Sequence, residues 1–248
     1  MRAYNIYNQP YLNAALFNGS NCYLDKQDLN EINAKKGVLS CWFKRLSGDQ
    51  AVFCEIRNDN NLVLSIGIDT IFNSIYCDCF HNNKSHLFFS SDRDTVTANS
   101  KWRHLLVTWD LGSLALNNAC QIYLDDKNII STRNILGSAN KEINFSSKYL
   151  RIGTNIPIKT VKMKMYLAQL YITLGNNFDA NLKNNRREFI GSSILPTSLP
   201  SRISNRENKI LFLFNTRDDL ALDYYKQFSF KANGNIILVP QISIRLTQ

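Results

Sequence analysis

Short runs of β-branched and aromatic residues recur along most of this chain, each closed by a cluster of Asn, Asp, Gly or Ser, and this rhythm restricts the fold more than any other feature. The runs cover residues 38–44, 52–56, 62–68, 75–80, 87–90, 102–109, 121–124 and 165–174, with later ones at 210–214 and 236–239. β-Branched and aromatic side chains fit a pleated surface, and regularly spaced turn residues between such runs specify antiparallel strands. Runs apolar at consecutive positions, such as Leu105-Leu106-Val107, predict central strands covered on both faces. Asn58-Asp59-Asn60-Asn61 predicts a hairpin, because Asn and Asp tolerate left-handed backbone and bond to nearby main-chain groups. Asp125-Asp126 and the Gly-containing stretch 233–235 predict further turns. The expected fold class is all-β, an antiparallel β-sandwich.

One stretch breaks the pattern. Residues 178–190 (FDANLKNNRREFI) place Phe178, Leu182 and Phe189 at helical spacing, with Asp179 as the N-cap, and predict a short helix. The GSSILPTSLPSR that follows is a Pro/Ser-rich loop without period. The chain therefore divides into a sandwich over 1–178 and an extension over 179–248 that packs on or continues the same domain. It carries neither an internal repeat nor a coiled-coil heptad.

At 248 residues the chain is long enough to bury a substantial core, and its hydrophobic content of 44% excludes wholesale disorder. A net charge of +9 is compatible with an acidic partner, but the basic residues are scattered. The densest groups, Lys35-Lys36 and Arg186-Arg187, are only pairs, so a solvated surface is the simpler reading and no nucleic-acid partner is expected. The opening MRAYNIYNQPYLNAALFNGS has no apolar core of signal-peptide length. No run reaches the ~20 apolar residues that a membrane-spanning helix needs. Synthesis in the cytoplasm is the expectation. There Cys22, Cys41, Cys54, Cys77, Cys79 and Cys120 stay reduced and pack as small hydrophobes.

A series of phrases carries a family resemblance, in order along residues 15–175. FNGSNCYL at 17–24 opens the series and VLSCWFKR at 38–45 follows. KWRHLLVTWD at 101–110 with QIYLDD at 121–126 forms the centre, and YLRIG at 149–153 with YLAQLYIT at 166–173 closes it. The chain resembles the concanavalin A-like and laminin-G-like jelly rolls, where the central phrases read W-x-H-x-x-x-T-W-D and L-Y-x-D-G. Here Asp126 stands where that pattern has Gly. The C-terminal part is similar to the tails of phage and prophage structural proteins that carry such a domain. Asn185, Arg187, Phe189 and Ile190 match their first phrase, and Pro196, Thr197, Ser198 and Pro200 match the second, with Ser198 in place of Gly. Phe230, Asn233 and Gly234 match the last, while the G-K-P-V-D-L-G element usual between the helix and the proline loop is missing or eroded.

The residues themselves offer little chemistry. Retaining glycoside hydrolysis needs two carboxyls about 5 Å apart, which jelly-roll glucanases place on one strand. Asp92 and Asp94 have alternate spacing but lie in a polar loop, and Asp125-Asp126 and Asp218-Asp219 are turn pairs. No G-x-S-x-G elbow or phosphate-binding Gly loop is present, and His81, His86 and His104 lie near no obvious Ser or Cys partner in the sequence. Cys77-x-Cys79-x-His81 aligns three metal-ligand types on one strand face without a fourth; two buried thiols and a surface His are the simpler reading. Asp69, Asp92, Asp94 and Asp110 are the weak calcium candidates, no other cofactor being indicated. Trp42, Trp102 and Trp109 sit in strands and read as core rather than as a sugar platform.

The resemblance implies a non-enzymatic structural protein of a phage or phage-like particle, a decoration, spike, fibre or tail component assembled in the host cytoplasm. Its partners would be other particle subunits in a symmetric assembly, with Arg186, Arg187 and Phe189 as the docking candidates. The alternative is a carbohydrate-binding module for cell-surface glycans, and a glycoside hydrolase is a distant third.

Overall fold

The computed structural model describes residues 11–19, 21–27, 29, 32–33, 35–58, 61–81, 84–113, 119–131, 136–137, 146–154, 163–175, 178–190, 209–212, 214 and 229–243. Two antiparallel sheets of eight strands each face one another among these residues. The first runs β11 (Lys127–Asn128), β10 (Cys120–Leu124), β9 (Arg103–Asp110), β4 (Lys36–Arg45), β15 (Lys164–Leu174), β1 (Tyr11–Asn18) and β18 (Ile237–Ser243). In this sheet β16 (Lys209–Phe212) pairs with β15 beyond the end of β1. The second runs β12 (Leu136–Gly137), β8 (Lys84–Ser90), β7 (Ile75–His81), β6 (Asn61–Ile68), β5 (Ala51–Asn58), β14 (Tyr149–Ile152), β2 (Tyr23–Lys26) and β17 (Lys231–Asn233). A small pair, β3 (Ile32–Asn33) with β13 (Ser146–Ser147), stands apart.

Every strand expected from the sequence is present, mostly longer by one to three residues at an end. The runs apolar at consecutive positions are covered on both faces, as Leu105 and Val107 enter the core between the sheets while Leu106 enters a second cluster outside the first sheet. Between the sheets, Leu39, Cys41, Phe43, Leu105, Val107, Ile122, Leu167 and Ile172 meet Leu24, Phe53, Ile56, Leu64, Ile66 and Phe89. At about 25 cal/mol per Å2 of apolar area removed from water, this shared core is the dominant stabilising term. All six cysteines are buried thiols, and Cys77 of one sheet meets Cys120 of the other.

Two glycines, one beside and one within the family phrases, have direct physical reasons. A Cβ on Gly37 would lie 2.3 Å from Trp109 Cζ2 and 2.5 Å from the Thr173 carbonyl, so Gly37 lets the Trp109 ring close onto β4. Gly153 takes φ +103, where a side chain would meet the Phe17 ring and the Cys22 carbonyl. Asp125 and Asp126 both adopt left-handed backbone, with φ of 49° and 66°.

The extension beyond residue 179 is built into the sandwich. Strand β16 joins β15, β17 borders the second sheet and β18 borders the first beside β1. The helix is shorter than the expected 178–190: α1 spans only Lys183–Arg186, and its N-cap is Leu182, not Asp179. Asp179 instead accepts the Asn181 N–H at 2.9 Å, and Asn185 Nδ2 donates to the Asp179 carbonyl at 2.8 Å. Asp and Asn side chains compete in this way with helical backbone bonding, which stops the helix after one turn. Phe178 and Phe189 pack on each other with ring centroids 5.4 Å apart, and Leu182 is exposed.

Candidate functional site

The outer face of the first sheet is lined row by row. The strand registers set Gln121, Thr108, Val38 and Thr173 in one row, and Tyr123, Leu106, Ser40 and Tyr171 in the next. His104, Trp42 and Ala168 form a third. A register shift between Ala168 and Tyr171, with Gln169 at φ +45°, keeps both of those residues on this face. The segment 178–190 straps across the second and third rows. Phe189 packs among Val38, Leu106, Tyr123 and Tyr171, and Ile190 among Trp42, Trp102 and Ala168.

Asp126 fastens the strap. Arg186 Nε donates to Asp126 Oδ1 at 2.5 Å and Arg187 Nη2 to Oδ2 at 2.7 Å. The Arg186 guanidinium lies 4.5 Å from the centre of the Tyr123 ring and donates to the carbonyls of Ala180 at 2.6 Å and Asn181 at 3.0 Å. The docking candidates Arg186, Arg187 and Phe189 are thus engaged inside the chain, holding the strap to its own sheet. Of the second tail phrase, Pro196, Thr197, Ser198 and Pro200 lie outside the described residues.

Where the strap begins, it leaves a cleft of about 380 Å3 over the first row. Its lining comprises Thr108, Trp109, Asp110 and Ser113 from the end of β9 and its turn, Gln121 from β10, and Phe178, Asp179, Ala180 and Asn181 from the strap. Gln121 Nε2 donates to Asn181 Oδ1 at 2.8 Å, which fixes both amides and leaves Asn181 Nδ2 as a donor. Asp110 accepts Lys36 Nζ at 2.9 Å and the Gly112 N–H at 3.1 Å. Thr108, 6% exposed, lines the cleft with no hydrogen-bond partner for its hydroxyl among the described residues. No local pattern announces this cleft, since its walls come from three separate stretches of the chain.

The four aspartates singled out for calcium stand in two places. Asp69 turns its carboxylate onto the N–H groups of Ile71 and Phe72, both at 2.7 Å, and Asp94 accepts Asn73 Nδ2 at 3.0 Å in the facing loop. Asp92 is exposed in that loop, while Asp110 is at the cleft. Among the described residues no three His, Cys, Asp or Glu side chains are grouped to hold a metal ion. Cys77 and Cys79 point into the core, and the side chain of His81 is outside the described set.

His104 does have a serine partner, contrary to the sequence reading: Ser40 Oγ lies 2.9 Å from its Nε2. Register pairing brings these residues together across β4 and β9, over 64 positions of sequence. Both are buried, and the imidazole packs against Trp42 and Phe189. Burial drives the His104 pKa down to about 3, Asp126 opposing weakly, so the ring is neutral and structural at ordinary pH. Trp42, Trp102 and Trp109 are all buried.

The outer face of the second sheet carries a row of alternating charge. Lys231, Asp25, Arg151, Glu55, Ser65 and Asp78 are successive partners across β17, β2, β14, β5, β6 and β7. Arg151 pairs with Asp25 at 2.9 Å and lies over the Tyr23 ring, and Glu55 pairs with Arg57 at 2.9 Å. Burial raises the Asp78 pKa to about 7 against the pull of the Ser85 hydroxyl, which donates to it at 2.6 Å.

No family model and no curated protein matches the chain. Solved structures do. A native heptameric SAP-like pentraxin from Limulus polyphemus is similar with a TM-score of 0.61 at 11% identity, covering 95% of this chain and 98% of that one. A candidate carbohydrate binding protein from Bacteroides ovatus is similar with a TM-score of 0.54 at 10% identity, covering 94% of this chain and 62% of its own. Domains LG4–5 of the mouse laminin α1 chain reach a TM-score of 0.47 at 9% identity, covering 70% and 45%. The likeness establishes the architecture: this chain folds as a concanavalin A-like jelly roll.

Proposed function

We propose that this chain is a non-enzymatic carbohydrate-binding module that takes the end of a glycan in the cleft under Phe178. The cleft carries the reading. It joins the half-buried Phe178 ring to carboxylates, fixed amides and hydroxyls, which is the mixture of apolar wall and few oriented polar groups that small-ligand sites use. Its volume falls within the roughly 300–1,000 Å3 of such sites. The likeness to a candidate carbohydrate binding protein supports this reading. Against catalysis stand the Lys36 pairing of Asp110 and the burial of Ser40 and His104 beneath Phe189. Isothermal titration of the purified chain against glycans selected on an array tests the proposal. Binding that weakens at least about tenfold in Asn181→Ala, the loss of one well-placed hydrogen bond, supports it. Binding indifferent to Asn181→Ala and Phe178→Ala sinks it.

A structural role in a phage or phage-like particle is the second reading, favoured by the tail phrase at Asn185, Arg187, Phe189 and Ile190. In this structure these residues hold the strap, so the phrase supports a shared architecture more directly than a shared partner. Mass spectrometry of particles released by the source cells tests it. Presence at a level comparable with the major subunits supports the role, and absence overturns it.

A further inference from the structure

Resting on the glycan-binding reading, we infer that the ligand of the cleft is an uncharged sugar presenting neighbouring hydroxyls, and that carboxylated and sulfated glycans are excluded. The chain as a whole is basic at +9, which by itself points to an acidic partner, yet the described lining of the cleft contains two carboxylates and no cation.

The hydrogen-bonding polarity of the lining makes the case. Asp179 gives one oxygen to the Asn181 N–H, which leaves its other oxygen as an acceptor. Asp110 is held by Lys36 and the Gly112 N–H, and each carboxylate oxygen has a second lone pair to offer. Gln121 occupies Asn181 Oδ1, so Asn181 turns its Nδ2 donor outward. Thr108, 6% exposed as a residue, brings a hydroxyl to the cleft that has no hydrogen-bond partner among the described residues. A hydroxyl that only water reaches is free to bond a ligand group that displaces the water. A sugar hydroxyl both donates and accepts. Two neighbouring ones satisfy a carboxylate, an amide N–H and the threonine together. A carboxylate or sulfate only accepts, and would lie beside the Asp179 charge with no guanidinium or ammonium among the described lining residues to receive it, Lys36 being engaged by Asp110.

The strap adds a positioning residue. Arg186 bonds the carbonyls of Ala180 and Asn181, so the wall carrying Asn181 and Asp179 is held in place from Asp126 in the turn between β10 and β11.

The test is titration calorimetry of the full chain against methyl glycosides of neutral hexoses, against sialyllactose and against sulfated disaccharides, at low and moderate salt. Thr108→Val and Asp179→Asn are measured alongside, with melting curves to confirm that each variant is folded. Neutral glycosides are expected to bind with little salt dependence, Thr108→Val to weaken them about tenfold, and Asp179→Asn to raise the relative affinity for the anionic sugars. Tighter binding of sialyllactose or the sulfated sugars than of every neutral glycoside, lost on Thr108→Val, overturns the inference while leaving glycan binding intact. Failure of all the sugars to bind overturns the functional reading together with this one.

Discussion

His104 and Asp78 carry opposite pH dependences. The folded pKa of His104, about 3, is below its free value of 6.5, so the unfolded chain takes up the proton first as the pH falls. Stability is therefore lost between about pH 6.5 and 3, by on the order of 3–5 kcal/mol if His104 stays fully buried. Thermal melts between pH 7 and 4 are expected to show this loss in the native chain and a flatter acid limb in His104→Gln. Asp78 behaves in the reverse sense. Its folded pKa of about 7 lies above the free value of 3.8, so the folded chain binds the extra proton. Its neutral form is favoured at low pH, and the benefit disappears as the pH rises through 7. Asp78→Asn is expected to raise the Tm at pH 8, by about 2–4 °C for each kcal/mol in a chain of this size, and to lose that advantage by pH 4. An equal Tm for the two proteins at pH 8 would show that solvent screens Asp78 fully.

At the level of elements, the Asp125-Asp126 turn explains why this chain departs from the Asp-Gly of the family phrase. Glycine would remove left-handed strain at Asp126, of order 1–2 kcal/mol. It would also remove the carboxylate that receives Arg186 and Arg187, and hydrogen bonds to charged groups contribute roughly 1.5–3 kcal/mol each. The second effect wins. Asp126→Gly is expected to lower the stability in urea titration despite the easier backbone, and to loosen the strap and weaken glycan binding in parallel. Because Arg186 and Asp126 are in contact, a double-mutant cycle between Arg186→Ala and Asp126→Ala should show a coupling of about 1–3 kcal/mol. Additive effects would mean that the Arg186–Asp126 pair does not hold the strap, which would then rest on its other contacts, such as Phe189 and Ile190. The shortness of α1 belongs to the same design. The strap works through side chains that bond to backbone and to the sheet, and a regular helix over 178–190 would hold Phe178 and Phe189 on one face but about 16 Å apart along its axis, too far for their ring contact.

Across the whole molecule, the C-terminal strands close both sheets. Strand β18 covers the edge of β1, and β17 covers that of β2. Removing residues 229–248 uncovers both edges at once and takes Phe230 and Ile236 from the core. Bare edges are templates for pairing with other chains, so the truncated protein is expected in the insoluble fraction or as higher oligomers on size-exclusion chromatography. A soluble monomer with unchanged Tm would contradict this account.

How much of this was legible in the residues follows from how local each feature is. The strands at 38–44 and 102–109, the hairpin about Asn58 and Asn61 and the turn at Asp125-Asp126 all declare themselves through side-chain shape and turn chemistry within a few residues. The family phrases then place the chain among jelly rolls, and the reasons for Gly37 and Gly153 become visible once Trp109 and Phe17 are in place. The helix at 178–190 was overread because Phe178, Leu182 and Phe189 have helical spacing, while Asp179 and Asn185 quietly favour turn bonding. Ser40 with His104, Asp126 with Arg186 and Asp25 with Arg151 are 64, 60 and 126 residues apart, and no local pattern announces them. The sequence by itself determined the strands and their turns, because these depend on short-range periodicity, and its phrases pointed to the jelly-roll class by resemblance. Only the tertiary structure decided which face the strap covers and where the cleft opens, because both depend on the register of strands distant along the chain.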